Sequence, residues 1–170
     1  MAVSAEAVKA VRERTGAGVV ECKNALEEAK GKIEEAVEAL RKKGIAKGNA
    51  LAAKKAGAGG QGVVASYVHQ GSRIGVLIEL SCETDFVART EEFKALAHNV
   101  AMQIAAMNPK YIGDDDLPEK PEGPLAEVSL LHQPFIREPT RTIKDLLAEL
   151  IGKVGENIRV RRFVRFELGG

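Results

Sequence analysis

One stretch of the sequence matches the letters of a phosphate-binding motif. Residues 57–62, Gly-Ala-Gly-Gly-Gln-Gly, fit the pattern GxGxxG. In dinucleotide-binding proteins this pattern needs a strand before it and a helix after it, so that the pyrophosphate meets the helix N-terminus. Here the predicted elements stand in the reverse order, and the sequence contains neither GxxxxGKS nor GxxxxGKT. We therefore interpret residues 57–62 as a linker.

Side chains that could bind a metal or carry out catalysis are scattered along the chain. His69, His98 and His132 are far apart in sequence, and neither Cys22 nor Cys82 belongs to a CxxC pair. The sequence also has no HExxH or GxSxG pattern. Metal sites and activated nucleophiles usually show such spacings. We expect no enzyme activity, no cofactor and no metal site, while a composite site assembled from distant segments stays open.

Residues 82–89, Cys-Glu-Thr-Asp-Phe-Val-Ala-Arg, are unusual for a connection between a strand and a helix. A polar turn is expected there, yet two apolar residues follow the acidic one. In one interpretation, Thr84 or Asp85 caps a single helical turn and Phe86 packs onto the core. In the other, Phe86 is an exposed apolar wedge beside the Asp85 carboxylate, presented to a partner. The residues alone leave both interpretations open.

The elements that position these residues begin with three amphipathic helices in residues 1–45. Ser4 is a candidate N-cap for the first helix, and Gly44 is expected to end the third. Short amphipathic helices can bury their apolar stripes only against one another, which predicts a three-helix bundle. Residues 46–62 are rich in Ala, Lys and Gly, which predicts a linker that can be helical at its start and flexible at its end.

The remaining residues, 63–170, predict an α+β core. In the last strand the even-numbered residues are apolar except Arg162, so we expect the even face to be buried. The predicted fold class is therefore α+β, with a three-helix bundle followed by a three-stranded antiparallel sheet packed with helices. The predicted strands are 63–68 and 73–81, joined by a turn, and 158–168. One helix is expected to begin at the N-cap Thr90, to end at Asn108 and to bury an apolar stripe, namely Phe93, Leu96, Ala97, Val100, Ala101 and Ile104. Another is expected to begin at Thr142, with Asp145 completing a capping box, and to end at Gly155.

Composition and charge are typical of a soluble, cytoplasmic protein. Lys and Arg total 25 against 24 Asp and Glu, and 45% of the residues are hydrophobic. No apolar run is long enough to cross a bilayer, the N-terminus does not resemble a secretory signal, and two cysteines are too few for a disulfide framework. We expect no membrane and no direct nucleic-acid partner, because phosphate binding usually needs a larger excess of positive charge. Four arginines within 159–165 keep an RNA-binding surface open as an alternative.

Three separated stretches resemble the bacterial elongation factor Ts family. They are RERTGAGVVECKNAL at 12–26, CETDFVAR at 82–89 and GENIRVRRF at 155–163. The resemblance extends over nearly the whole chain. It implies a ubiquitin-associated-like three-helix head at 1–45 and a dimerisation-type α+β core at 63–170. It also implies the activity of a guanine-nucleotide exchange factor for elongation factor Tu in translation elongation.

The resemblance assigns partner binding to Thr84, Asp85, Phe86 and Val87, called here the 84–87 segment. In the family, this segment enters the G domain of elongation factor Tu and disturbs its magnesium site. The implied partner is elongation factor Tu, both GDP-bound and nucleotide-free, and the implied result is faster release of GDP so that GTP can bind.

A second, smaller contact is implied for the head. Val19, Val20 and Lys23 resemble the surface that docks on the same G domain, although the family often has Met at the two valine positions. Because valine is shorter and stiffer than methionine, this contact is expected to be thinner here. The alternative is that both valines pack inside the bundle.

The chain also departs from the family pattern. Many members have a longer central region, which a short acidic, proline-rich loop replaces here, so this chain resembles a short form with one copy of the core. A single three-stranded sheet leaves its edges exposed, from which we expect a homodimer. The alternative function is a ubiquitin-associated-like adaptor or an RNA-binding accessory protein without exchange activity.

Overall fold

The computed structural model describes residues 3–54 and 60–170. Three helices come first, and a three-stranded antiparallel sheet packed with helices follows. The predicted α+β class is confirmed. Residues 57–59 of the GxGxxG stretch lie outside the described residues. No helix in the described ranges combines the length and apolar character needed to cross a membrane.

The N-terminal helices are α1 (Ala5–Thr15), α2 (Val19–Glu28) and α3 (Ile33–Ala53). The predicted cap is present, since the Ser4 hydroxyl accepts a hydrogen bond from the Ala7 N–H at 3.2 Å. Apolar stripes of the three helices meet in a small core, called here the head core. Its buried members are Val11, Cys22, Ala25, Leu26, Ala36 and Leu40.

The first part of the α+β core is a hairpin followed by two helices. Strands β1 (Gln61–Val68) and β2 (Ile74–Cys82) pair antiparallel, and α4 (Asp85–Ala88) and α5 (Glu91–Met107) follow. Thr90 caps α5 as predicted, because its hydroxyl accepts a hydrogen bond from the Phe93 N–H at 3.3 Å. The apolar stripe of α5 is buried as predicted: Phe93, Leu96, Ala97, Val100, Ala101 and Ile104.

The second part contains the helix and the strand that complete the core. The elements are α6 (Leu125–Val128), β3 (Pro134–Phe135), β4 (Glu138–Thr142), α7 (Ile143–Val154) and β5 (Arg159–Glu167). The predicted capping box of α7 is present, with the Asp145 carboxylate accepting from the Thr142 N–H at 2.9 Å. Strand β5 pairs antiparallel with β2, so the sheet order is β1-β2-β5.

Helix α3 does not end at Gly44, and that prediction is wrong. The helix continues to Ala53, so residues 46–53 of the predicted linker are helical. The reason is tertiary packing against α7. A Cβ atom on Gly48 would lie 1.7 Å from the Ala148 carbonyl oxygen, and one on Gly152 would lie 2.2 Å from the Gly44 carbonyl oxygen. The glycines let the two backbones touch. From sequence periodicity alone, a glycine that allows such a close approach cannot be distinguished from a glycine that ends a helix.

Ion pairs also join α3 to the core. Arg41 of α3 donates to the Glu138 carboxylate at 2.8 Å, and Arg141 donates to the other oxygen of that carboxylate at 3.1 Å. Burial opposes ionisation of Glu138, but the two arginines outweigh it and hold the pKa of Glu138 below its usual range. Arg141 also pairs with Glu149 of α7. The head and the core are thereby connected by charge as well as by packing.

The predicted burial pattern of the last strand is correct only for its first part. Ile158 and Val160 are buried, as expected for the even face. Beyond them the prediction is wrong, because three even-numbered apolar residues are exposed to solvent. They are Val164 (41% exposed), Phe166 (70%) and Leu168 (65%).

A β-bulge explains the reversal. Leu80 pairs with Val160, whereas the preceding residue Glu79 pairs with Arg162, so Arg161 is the extra residue on β5. One added residue moves every following side chain to the opposite face. The odd-numbered Phe163 therefore packs against the core, and the apolar even residues face outward.

Candidate partner-binding site

The 84–87 segment lies on α4, the single helical turn between β2 and α5. Thr84 is its N-cap, and the Thr84 hydroxyl accepts a hydrogen bond from the Val87 N–H at 3.4 Å. At the other end, the Thr90 hydroxyl donates to the Val87 carbonyl at 2.8 Å. A four-residue helix has too few internal hydrogen bonds to be stable alone, so the caps and the flanking elements fix its shape.

Exposure separates the two apolar residues of the segment. Val87 is buried, with 4% of its surface accessible, whereas Phe86 is 79% exposed. The interpretation in which Phe86 packs onto the core is therefore wrong, although its capped helical turn is present. Val87 and Ala88 anchor the turn, and the Phe86 ring projects into solvent.

Charged groups flank the exposed ring. The Asp85 carboxylate and the Arg89 guanidinium form an i,i+4 ion pair at 2.8 Å, and both side chains are largely exposed. Exposed pairs of this kind contribute little to stability, because water and salt compete with them. The Asp85 carboxylate therefore remains free to exchange Arg89 for another positively charged group.

The base of the segment is held by a second loop, which follows α7. One oxygen of the Glu156 carboxylate accepts from the Glu83 N–H at 3.2 Å and from the Thr84 N–H at 3.0 Å. Its other oxygen accepts from the Thr84 hydroxyl at 2.6 Å. In return, the Glu83 carboxylate accepts from the Asn157 N–H at 2.9 Å. Sequence reasoning missed Glu83 and Glu156 as a pair, and their only signal was that each lies in a stretch that resembles the family.

Cys82 lies beneath this contact and is buried. Burial raises the pKa of the Cys82 thiol, and the nearby negative charge of Glu156 raises it further. The thiol donates to the Thr84 carbonyl at 3.1 Å. Cys82 belongs to the buried core of the α+β part, where it packs as a small apolar residue.

The predicted head surface is exposed. Val19 and Val20 occupy the first turn of α2, with 54% and 71% of their surfaces accessible, so the alternative that both pack inside the bundle is wrong. Lys23 follows on the same helix and is exposed, 3.8 Å from the Glu27 carboxylate. The two apolar features predicted to bind the partner, the Val19/Val20 turn and the Phe86 ring, are thus both exposed.

Side chains suited to metal binding or catalysis remain dispersed. Within residues 3–54 and 60–170, no group of three or more His, Cys, Asp or Glu side chains could hold a metal ion. His69 and His98 do meet around Tyr67, at 6.1 Å and 5.6 Å between ring centroids. These are aromatic packing contacts at the sheet, and none of the three residues belongs to the 84–87 segment.

The arginines of β5 are partly neutralised. Arg162 pairs with Glu79 at 2.7 Å, and Arg165 pairs with Glu167 at 2.7 Å while also donating to the Ala105 carbonyl. Two of the four arginines thus have partners within the chain. This weakens the alternative of an RNA-binding strand, because phosphate binding depends on unpaired positive charge.

Comparison with known proteins gives a consistent result. The family model described as elongation factor TS matches residues 1–121. The elongation factor Ts of Carboxydothermus hydrogenoformans is 50% identical over 198 aligned positions, which cover 98% of this chain and 89% of the relative. That of Caldanaerobacter subterraneus subsp. tengcongensis is also 50% identical, with coverage of 98% and 97%. That of Thermotoga neapolitana is 48% identical, with coverage of 99% and 98%.

The alignments also show a difference in length. They extend over 198 positions, whereas this chain has 170 residues, so the relatives contain residues without a counterpart here. The similarity nevertheless covers almost all of both chains. By identity, coverage and family match, this chain belongs to the elongation factor Ts family of translation elongation factors.

Proposed function

We propose that this protein is a guanine-nucleotide exchange factor for elongation factor Tu. The observation that carries the proposal is the exposed Phe86 ring beside Asp85, on a helical turn anchored by buried Val87. A largely exposed aromatic ring on a fixed turn is available to bury its apolar surface against another molecule, and aromatic residues are enriched among those that dominate binding energy at interfaces. Membership of the elongation factor Ts family supports elongation factor Tu as that partner.

The proposed mechanism follows from how a G domain holds GDP. The diphosphate is bound by backbone N–H groups and by a bridging Mg²⁺, whose charge offsets that of the phosphates. Insertion of the Phe86 ring displaces the elements beside this site, and the Asp85 carboxylate disturbs the polar groups around the cation. When the cation is lost, the diphosphate is poorly neutralised and GDP dissociates faster. The protein makes or breaks no covalent bond, so we propose that it is not an enzyme in that sense and needs no cofactor.

Thermodynamic linkage adds a requirement to this mechanism. If this protein lowers the affinity of elongation factor Tu for GDP by a given factor, GDP must lower the affinity of elongation factor Tu for this protein by the same factor. The nucleotide-free partner is therefore the form held most tightly, and the GDP-bound form is the one first engaged. We propose that Val19, Val20 and Lys23 make the initial contact, because an exposed apolar turn can bind without displacing the nucleotide.

The test is the release of fluorescently labelled GDP from elongation factor Tu in stopped flow. Phe86→Ala should slow release at saturating factor by about 30-fold, the effect of losing a central aromatic contact worth about 2 kcal/mol. Leu125→Ala is the control, because it truncates an exposed apolar side chain on α6, outside both the 84–87 segment and the three-stranded sheet.

The outcomes separate the proposal from its alternatives. Leu125→Ala should release GDP at nearly the wild-type rate, and both variants should unfold near the wild-type temperature. If wild-type protein does not accelerate release, the adaptor or RNA-binding alternative is favoured. If Phe86→Ala behaves as Leu125→Ala does, the wedge mechanism is wrong.

We also propose that the protein is a cytoplasmic homodimer. The outer face of the sheet is apolar across neighbouring strands, since exposed Leu77 on β2 pairs with exposed Val164 on β5. Phe166 and Val68 extend this face next to Gly75. Contiguous exposed apolar surface of this kind favours burial against a second copy.

The association is tested by sedimentation at micromolar concentration. Wild-type protein should sediment as a dimer, and Phe166→Asp should sediment as a monomer because a charge cannot be buried in an apolar interface without a partner. Phe86→Ala is the control and should remain dimeric. A wild-type monomer at this concentration would contradict the proposal.

A further inference from the structure

Reciprocal hydrogen bonds join two loops that are distant in sequence. Glu83 and Thr84 follow β2, whereas Glu156 and Asn157 connect α7 to β5. Each loop uses a glutamate to accept backbone N–H groups of the other, at 2.9 to 3.2 Å. The contact is therefore reciprocal, and neither loop can shift without breaking hydrogen bonds on both sides.

Glu156 accepts more hydrogen bonds in this contact than an amide side chain could. Its two oxygens accept three donors, and the bond from the Thr84 hydroxyl is short, at 2.6 Å. A carboxylate supplies acceptor sites only, whereas the amide of glutamine replaces one oxygen by a donor. Hydrogen bonds to an ionised acceptor are also about twice as strong as neutral ones. The position of Thr84, the N-cap of α4, is thus set by a charged side chain outside its own segment.

Helix α7 connects this contact to the head. Gly152 of α7 lies against Gly44 of α3, and Gly155, with φ of 75°, ends α7 one residue before Glu156. Lys153 of α7 also pairs with Glu92 of α5 at 2.5 Å. Helix α7 therefore packs against α3 of the head. The loop that follows the C-terminal end of α7 holds the base of the 84–87 segment.

We infer that Glu156 is a positioning residue for exchange, which holds the 84–87 segment so that the Phe86 ring is presented in its binding conformation before the partner arrives. The inference rests on the proposed function. Its physical basis is preorganisation, since a segment already ordered loses less conformational freedom on binding and inserts its ring in one orientation. Glu156 itself is half-buried behind Thr84 and need not touch the partner.

The experiment compares Glu156→Ala with Glu119→Ala, a control that removes a glutamate with no ion pair or side-chain hydrogen bond in the described part of the chain. Amide hydrogen exchange in the free protein is measured first. The Thr84 N–H should exchange about tenfold faster in Glu156→Ala, the factor that corresponds to one lost charge-assisted hydrogen bond. In the control, Glu119→Ala, the Thr84 N–H should exchange at the wild-type rate.

GDP release is measured second, as a function of factor concentration. Glu156→Ala should lower the maximal release rate by about tenfold, while the half-saturating concentration changes by less than about threefold because the head surface is intact. Glu156→Gln should lie between wild type and Glu156→Ala. The Phe86→Ala/Glu156→Ala double variant should release GDP no more slowly than Phe86→Ala, because both changes act through the same ring.

Each outcome bears on a different statement. If Glu156→Ala changes neither Thr84 exchange nor release, or if the double variant is additive, the positioning role is refuted while the effect of Phe86→Ala still supports the proposed function. If Phe86→Ala has no effect on release, the proposed wedge fails, and faster Thr84 exchange would leave only a structural role for Glu156. If Glu156→Ala unfolds the protein, Glu156→Gln decides by the same two measurements.

Discussion

Replacing Gly48 with alanine should destabilise the protein, whereas the same change at Gly44 should stabilise it. Both residues lie within α3, four positions apart, so the intrinsic gain in helix propensity is about 1 kcal/mol at either site. Their surroundings differ. A Cβ atom on Gly48 would meet the Ala148 carbonyl oxygen at 1.7 Å, whereas a Cβ atom on Gly44 would meet no atom within 4 Å.

The magnitude follows from this geometry. Ordinary contact begins near 3.4 Å, so α3 and α7 would have to separate locally by about 1.7 Å. Overpacking usually costs about 1–3 kcal/mol, and the upper value applies because a backbone oxygen cannot rotate away. After the gain in propensity, Gly48→Ala should lose about 2 kcal/mol and Gly44→Ala should gain up to about 1 kcal/mol.

Thermal and urea unfolding of the two variants provide the measurement. A difference of about 3 kcal/mol corresponds to about 6–12 °C in melting temperature for a chain of this size. If both variants shift in the same direction, or differ by less than about 0.5 kcal/mol, the close approach of α3 and α7 does not exist in solution. That result would also remove the structural link between the head and the 84–87 segment.

Three further predictions concern charge, thiols and the head. Glu138→Gln should lower the unfolding free energy near pH 7 by less than about 1 kcal/mol, because Glu138 is partly exposed. Since the folded pKa of Glu138 is depressed, the difference from wild type should shrink in urea titrations as pH falls from about 5 towards that pKa. Cys22 and Cys82 are buried, so a thiol reagent should modify the native protein no faster than the protein unfolds locally or globally. Rapid labelling of the folded protein would contradict the structure. Val20→Asp should raise the half-saturating factor concentration in GDP release by about tenfold, with the unfolding free energy within about 0.5 kcal/mol of wild type. An unchanged concentration would exclude this turn from the partner contact.

Local elements were predictable because their signals lie within a few residues. Ser4, Thr90 and Thr142 each cap a helix as predicted, since a hydroxyl at the N-cap position accepts from an N–H three residues on. The apolar stripe of α5 and the hairpin of β1 and β2 were predictable for the same reason. Side-chain periodicity depends only on the local backbone repeat.

Two errors arose where distant backbone decided local structure. Gly44 was expected to end α3, but contact with α7 lets the helix continue through two glycines. The even face of β5 was expected to be buried throughout, but the bulge at Arg161 reversed the faces after Val160. Neither a helix–helix contact nor a bulge leaves a periodic signal in one segment, because each depends on the register of a second segment.

For the site, the sequence by itself determined the residue types: an aromatic ring beside a carboxylate at the end of a strand, and an apolar first turn on the second helix. It also determined the family, because three separated stretches kept their order. Only the tertiary structure decided that Val87 is the anchor and Phe86 the exposed ring, and that Glu156 holds the base of their turn. The physical reason is that exposure and hydrogen-bond partners depend on which distant elements pack around a residue. A four-residue helical turn has too few internal hydrogen bonds to determine by itself which of its side chains is buried.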